Sequence, residues 1–199
     1  MPQGRGRANF EQLYAAVSDR LAAGHYRPGD RIGLKALSDD LGVSVTPLRE
    51  ALSRLVGREL VTERRTEGYY LTRLDARDIA DLYRLHGACL DRASAASPPF
   101  DISAEAPDRD IWQLFDAIAT ASGDRILAGV RRYLDDRLKL IRRCERTLLA
   151  DEDVSGRRLR SSLMSADIAS LRAEIATFHA ARIERAADLA DLVNRGGFD

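Results

Sequence analysis

Leu37-Ser-Asp-Asp-Leu-Gly-Val-Ser-Val-Thr-Pro-Leu-Arg-Glu-Ala-Leu52 decides the fold of this chain. Leu34, Leu37 and Leu41 recur at helical spacing, and Gly42 follows as a terminator. Ser44 or Thr46 then caps a new helix. Pro47 is tolerated in its first turn, where N–H groups have no intrahelical acceptor. Leu48, Ala51, Leu52 and Leu55 share one face, so Arg49, Glu50, Ser53 and Arg54 point outward. Two short helices joined by Gly42-Val43-Ser44 form a helix-turn-helix.

Working outward, Phe10, Leu13, Val17 and Leu21 mark an earlier helix, with Asn9 as its cap and Gly24 at its end. Arg27-Pro28-Gly29-Asp30 reads as a turn. Residues 1–8 lack periodicity and read as a flexible arm whose Arg5 and Arg7 are candidate phosphate or minor-groove contacts. Downstream, Leu60 to Arg65 and Tyr69 to Thr72 are strand-like and flank Thr66-Glu67-Gly68. Three helices and a hairpin make a winged helix over residues 9–73.

The physics of DNA reading suits that layout. The N-terminal end of the third helix can enter a major groove, and its free N–H groups favour phosphate. Arg49 lies in its first turn, where a guanidinium can meet guanine O6 and N7. Ser44 and Thr46 can bond phosphate oxygens, and Gly68 lets a wing tip approach a backbone closely.

The quoted stretch, with Leu55 and Leu60-Val61, closely resembles the GntR family of bacterial transcription regulators. Gly24-His-Tyr-Arg-Pro-Gly-Asp-Arg-Ile32 and Glu67-Gly-Tyr-Tyr-Leu71 match the same pattern. The resemblance implies DNA contacts at Lys35, Ser44, Thr46, Arg49 and Gly68. It departs at Val45, where the family usually has Arg. That departure removes a contact, and Val45 can instead touch a thymine methyl.

Residues 74–199 read as an all-α bundle. Asp75-x-x-Asp78 has the form of a capping box opening a helix over 76–96, with Ile79, Leu82, His86, Cys89 and Ala93 near one face. Ser97-Pro98-Pro99-Phe100 breaks it, and 101–107 is a loop. A helix near 108–121 carries Ile111, Leu114, Phe115 and Ile118. A long one near 124–149 carries Ile126, Leu127, Val130, Leu134, Leu138 and Ile141. After a break over Asp151 to Gly156, a final pair of helices runs to about Asn194, with Ile168, Leu171, Ile175, Phe178, Ile183 and Leu189 as core marks.

Ala121-Ser122-Gly123-Asp124 resembles a local motif of the FCD ligand-binding domain found in the FadR-like branch of the GntR family. The length suggests its six-helix variant. Many such domains hold a divalent metal through Asp-x-x-x-His and two later histidines. Here Ile111 and Phe115 occupy the first two positions, and only His179 matches the last. The resemblance therefore implies a metal-free effector pocket with no cofactor, lined by His86 and His179. The alternative for His86 is a packed core histidine, or with Cys89 a metal half-site. A carboxylate effector would want one inward-facing Arg among Arg131, Arg132, Arg137, Arg142 and Arg143; the bland reading is a solvated face pairing with Asp135 and Asp136. Cys144, among arginines, is either redox-sensitive or an inert thiol.

The composition excludes several classes. Of 199 residues, 45% are hydrophobic, and 31 Lys+Arg balance 31 Asp+Glu. Residues 1–73 carry a small excess of cations, and the remainder the matching excess of acids. No apolar run is long enough for a membrane span or a signal-peptide core. Two cysteines without C-x-x-C spacing fit a reducing cytoplasm. Three histidines, and no nucleophile–base pair at readable spacing, leave an enzyme as the weakest reading. The expected function is a cytoplasmic homodimeric regulator, a repressor by the commoner family mode. It would bind a pseudo-palindromic operator in double-stranded DNA and sense a small molecule. The alternative is a helical interaction module whose DNA domain no longer reads sequence.

Overall fold

The computed structural model describes residues 3–96, 110–149 and 152–196. The fold is mainly helical, with one small antiparallel sheet. Helix α1 (Gln3–Ala22), α2 (Leu34–Leu41) and α3 (Val45–Val56) precede strands β1 (Val61–Arg64) and β2 (Gly68–Leu71). The strands pair from Val61 opposite Leu71 to Arg64 opposite Gly68. Six helices follow: α4 (Ala76–Ala96), α5 (Ile111–Ala121), α6 (Arg125–Leu148), α7 (Glu152–Met164), α8 (Ile168–Glu184) and α9 (Ala186–Arg195).

The winged helix forms as its sequence dictates. Gly42 closes α2 at φ +64, and Ser38 Oγ donates to the Val43 carbonyl at 2.5 Å, pinning the turn. Leu48, Ala51, Leu52 and Leu55 are fully buried against Val17, Leu21, Leu37, Val61 and Leu71. The Pro-Gly-Asp turn does more than reverse the chain. Ile32 N–H donates to the Tyr69 carbonyl and Leu71 N–H to that of Asp30, so this segment lines the free edge of β2. That pairing was invisible in the sequence.

Two N-terminal expectations change. Helix α1 already begins at Gln3, within the stretch expected to be an arm, so Asn9 lies inside the helix and not at its start. Glycines at 4 and 6 weaken a helix by about 1 kcal/mol each. Propagation from a formed helix is cheap by comparison with nucleation. The side chains of Arg5 and Arg7 lie outside the described residues.

In the second half, α4 is the central strut, packed by α5, α6, α8 and α9. Its capping box is present, with Asp78 N–H donating to Asp75 and Asp75 N–H to Asp78. Asp110 caps α5 reciprocally with Gln113, and Asp124 caps α6. The break at 97–100 and the loop at 101–107 lie outside the described residues.

Three corrections apply here. The sequence predicts Ile126 and Val130 as core, but they are 79% and 37% exposed. The inward face of α6 instead runs through Leu127, Arg131, Leu134, Leu138, Ile141 and Glu145. The break read over Asp151 to Gly156 is helix α7 from Glu152 onward; one helical glycine costs too little to stop a helix packed on α5. The expected final pair is three helices. Ala166 turns the chain at φ +54 without a glycine, and Asp167 caps α8 through Ser170 N–H at 3.0 Å. The α8–α9 join at Arg185 has neither Gly nor Pro to announce it.

Candidate nucleic-acid interface and a buried histidine cluster

The N-terminus of α3 is open. Ser44 holds the cap position in extended backbone but makes no side-chain cap bond. Ser44, Val45, Thr46 and Arg49 are all exposed in a row along this end. Arg49 makes no ion pair among the described residues. Arg54, read as its outward neighbour, is already engaged: it pairs with Glu11 at 2.7 Å and stacks 4.8 Å over Tyr14. Ser53 Oγ lies 3.2 Å from Tyr69 Oη, fixing α3 against the wing. The first turns of α3 therefore remain available, while its last turns are bolted to α1 and β2. Because the Ser44 side chain makes no cap bond, Ser44→Ala should change the unfolding free energy by less than about 0.5 kcal/mol, measured by urea titration.

Lys35 projects from α2, paired at 3.4 Å with Asp39 in full exposure, where such a pair contributes little. Gly68 opens β2 at φ +108, a region that L side chains rarely occupy. The wing also carries cations that the sequence reading did not single out. Arg64 stacks 4.1 Å over Tyr70, and the Arg31 guanidinium lies beside Gly68. Arg65 is exposed on the turn. Arg31, Arg64 and Arg65 extend the basic surface from helix to wing tip.

The helical domain brings together the two histidines named from sequence. His86 on α4 and His179 on α8 stand 93 positions apart, yet His86 Nδ1 and His179 Nε2 are 2.8 Å apart and both rings are buried. Gly87 permits this approach: a Cβ there would sit 3.0 Å from His179 Cγ. His179 Nδ1 donates to the Ile175 carbonyl at 2.6 Å, so its Nε2 accepts from His86 Nδ1–H. Trp112, Phe115 and Phe178 pack around the pair with ring centroids 5.3–5.6 Å from an imidazole.

Beyond His86 lies Asp135, 3.3 Å from Nε2. Asp135 is also paired with Arg131 at 2.7 Å and Arg142 at 2.9 Å. Arg142 in turn stacks 3.6 Å over Trp112. The sequence could not choose which arginines of the long helix face inward; these are Arg131 and Arg142, and Arg131 is almost fully buried. Period was the signal that could have found Arg131, since it falls four residues after Leu127 and three before Leu134.

Burial pushes His179 down to about 3, aided by the charges of His86 and Arg182 and opposed by its bond to Ile175. Burial lowers His86 as well, against the pull of Asp135. For Asp135, burial works against the charge, but His86, Arg131 and Arg142 prevail and hold it below the ordinary range. Among the described residues, four buried polar atoms around this centre have no hydrogen-bond partner: His86 Nε2, Trp112 Nε1, Arg131 Nε and Arg142 Nε. Unsatisfied buried polar atoms are rare in a finished core.

Next to it sits a second buried network. Arg182 donates through Nε to Glu145 at 2.7 Å and through a terminal nitrogen to the Phe178 carbonyl at 3.1 Å. Tyr83 Oη donates to the other Glu145 oxygen. Among the described residues, no group of three or more His, Cys, Asp or Glu is placed to hold a metal ion. Cys89 is half-buried, and burial pushes the Cys144 thiol up to about 11, the reverse of a reactive thiolate.

The family model for bacterial regulatory proteins of the gntR family matches residues 9–71. Residues 9–71 are a GntR-family domain. The Nta operon transcriptional regulator of Aminobacter aminovorans is 44% identical over 61 residues, which are 31% of this chain and 29% of that protein. The match thus spans less than a third of that relative. Solved structures extend the likeness of fold. E. coli McbR/YncC superposes with a TM-score of 0.69 at 19% identity, covering 90% of this chain and 97% of that one. A GntR transcriptional regulator from Rhodococcus sp. RHA1 gives 0.70 at 15% identity, with the same coverage. The architecture of a GntR winged helix followed by a helical bundle is therefore shared. Among the described residues, no helix is long and apolar enough to cross a membrane.

Proposed function

We propose that this GntR-family chain is a sequence-specific DNA-binding transcription regulator. The observation that carries this reading is the open end of α3, with Ser44, Val45, Thr46 and an ion-pair-free Arg49 exposed beside a cationic wing. The guanidinium reads a base edge, while Ser44, Thr46 and Lys35 hold phosphates. Gly68 brings the wing backbone close to the duplex. Relatives named as transcription regulators support the same reading, and no catalytic step is involved.

The site is tested with Arg49→Ala on a duplex enriched from a random pool. The expected loss is about 1–3 kcal/mol, with relaxed preference at one base position. Binding by the wild type should fall linearly on a log–log plot against salt. An unchanged affinity and preference in Arg49→Ala would remove Arg49 from the base-reading role.

The functional unit in this reading is a cytoplasmic homodimer on a pseudo-palindromic site, acting as a repressor. Leu85 on α4 and Ile126 and Val130 on α6 supply exposed apolar area for self-association. Ile126→Asp with Val130→Asp should shift the protein from dimer to monomer in sedimentation velocity, without altering helix content. A wild-type monomer at tens of micromolar would contradict the dimer.

The effector site in this reading is the histidine cluster of an FCD-like, FadR-type bundle. In this reading the site is metal-free, with His86 and His179 bonded to each other. The unmatched donors of Trp112, Arg131 and Arg142 suit an acceptor-rich small molecule, a carboxylate among them. Such a molecule regulates only to the extent that it binds two arrangements of the domains with different affinity.

A further inference from the structure

Helix α6 belongs to both halves of the molecule. One side carries Arg131, Asp135 and Arg142 of the buried cluster. The other side grips the winged helix. Leu140 is part of the winged helix's own hydrophobic core. Asp136 accepts from Tyr14 Oη of α1 at 3.2 Å and lies 3.7 Å from Arg58. Lys139 pairs with Asp19 of α1 at 2.8 Å.

Glu59 sits at the point where the chain leaves recognition helix α3. Its backbone is left-handed, φ +57, where a glycine or asparagine would be at ease. Yet neither of those side chains matches what Glu59 does. Its carboxylate accepts from Tyr133 Oη at 2.9 Å and pairs with Arg137. Arg137 also donates to Tyr133 Oη at 3.2 Å, closing a three-membered clasp on α6. The Glu59 carboxylate is 63% exposed, so the pair contributes little to stability. What it fixes is orientation: a strained position is retained where a side chain must reach a partner.

We propose that Glu59 is a positioning residue that ties the reading helix to α6 and so sets the separation of the two half-sites on DNA. Tyr133 and Arg137 flank Asp135 on the same helix, so a movement of α6 at the buried cluster carries the clasp with it. This inference rests on the operator-binding reading above.

The test is selection from duplex pools of inverted repeats with variable spacers, using wild type, Glu59→Gln and Glu59→Gly. One spacer length should dominate the wild-type pool. Both variant pools should spread over neighbouring lengths while keeping the half-site sequence. Glu59→Gly relieves the left-handed backbone, so its melting temperature should hold or rise, and a broadened profile then cannot come from unfolding. A single spacer shared by wild type and both variants would overturn the clasp while leaving the regulator reading intact. No enriched repeat in the wild type would overturn both.

Discussion

Arg182→Ala should cost about 3–5 kcal/mol of folding stability. The guanidinium is fully buried, and so is the Glu145 carboxylate that it neutralises. Removing it leaves a charge inside the bundle where, among the described residues, only the Tyr83 hydroxyl still donates to it and Arg142 is nearby. The Phe178 carbonyl loses a donor, and the face of the Phe178 ring loses a cation 3.3 Å away. Burial already pushes the Glu145 carboxyl up, with Arg182 the strongest opposing influence. The variant should therefore take up a proton at Glu145. Urea unfolding of Arg182→Ala measures the loss directly. The double variant Arg182→Met, Glu145→Gln separates charge from packing, because it leaves no isolated ion behind. It should recover more than half of the lost stability. A single variant within about 1 kcal/mol of wild type would show that the pair is not the keystone of this core.

Acid should weaken the protein well above the carboxylate range. An imidazole titrates near 6.5 in the unfolded chain, whereas buried His179 falls to about 3. The unfolded state thus binds more protons throughout that window, so stability rises with pH there. It is fully present above about pH 6.5 and is lost as pH falls toward 3. At pH 5, His179 alone should account for about 2 kcal/mol, and His86 acts in the same direction. Asp135, held below its ordinary range, loses its contribution only at lower pH, where its partners Arg131 and Arg142 remain charged. Urea midpoints at pH 7.5 and 5.0 provide the measurement. His179→Gln, which keeps a polar group beside His86, should flatten the difference. Equal midpoints in the wild type would mean that the two rings are not buried in their neutral form.

The parts of the fold written in local chemistry were readable. Pro47 after an extended Ser44, the αL-ready Gly42 and the Asp75-x-x-Asp78 box each act within a few residues, and each stands where the sequence placed it. The misreadings arose where two local rules competed or none applied. Ile126 and Val130 look like core by chemistry, but the period through Leu127, Leu134, Leu138 and Ile141 puts them outside. Arg131 was the converse case, a charge on the core side of that same period. Its burial depends on Asp135 and Asp116, and one of these comes from another helix. Ala166 and Arg185 end helices without glycine or proline, so the last three helices read as two.

The candidate site divides the same way. Every exposed residue expected on the reading helix lies in one short run of sequence, where helical geometry alone fixes relative position. His86 and His179 could be named singly, but their contact depends on how α4 and α8 cross, which Gly87 permits and the sequence does not spell out. The clasp of Glu59 on Tyr133 and Arg137 is likewise a product of docking between halves.

The central claim is that the open end of α3 reads base sequence. Selection of random duplex DNA by the purified chain, followed by sequencing of the bound pool, tests it most directly. An enriched inverted repeat is expected for the wild type, and loss of preference at one base per half-site for Arg49→Ala. A bound pool with no enriched sequence at low salt would contradict it, and the reading of the chain as a helical interaction module would take its place.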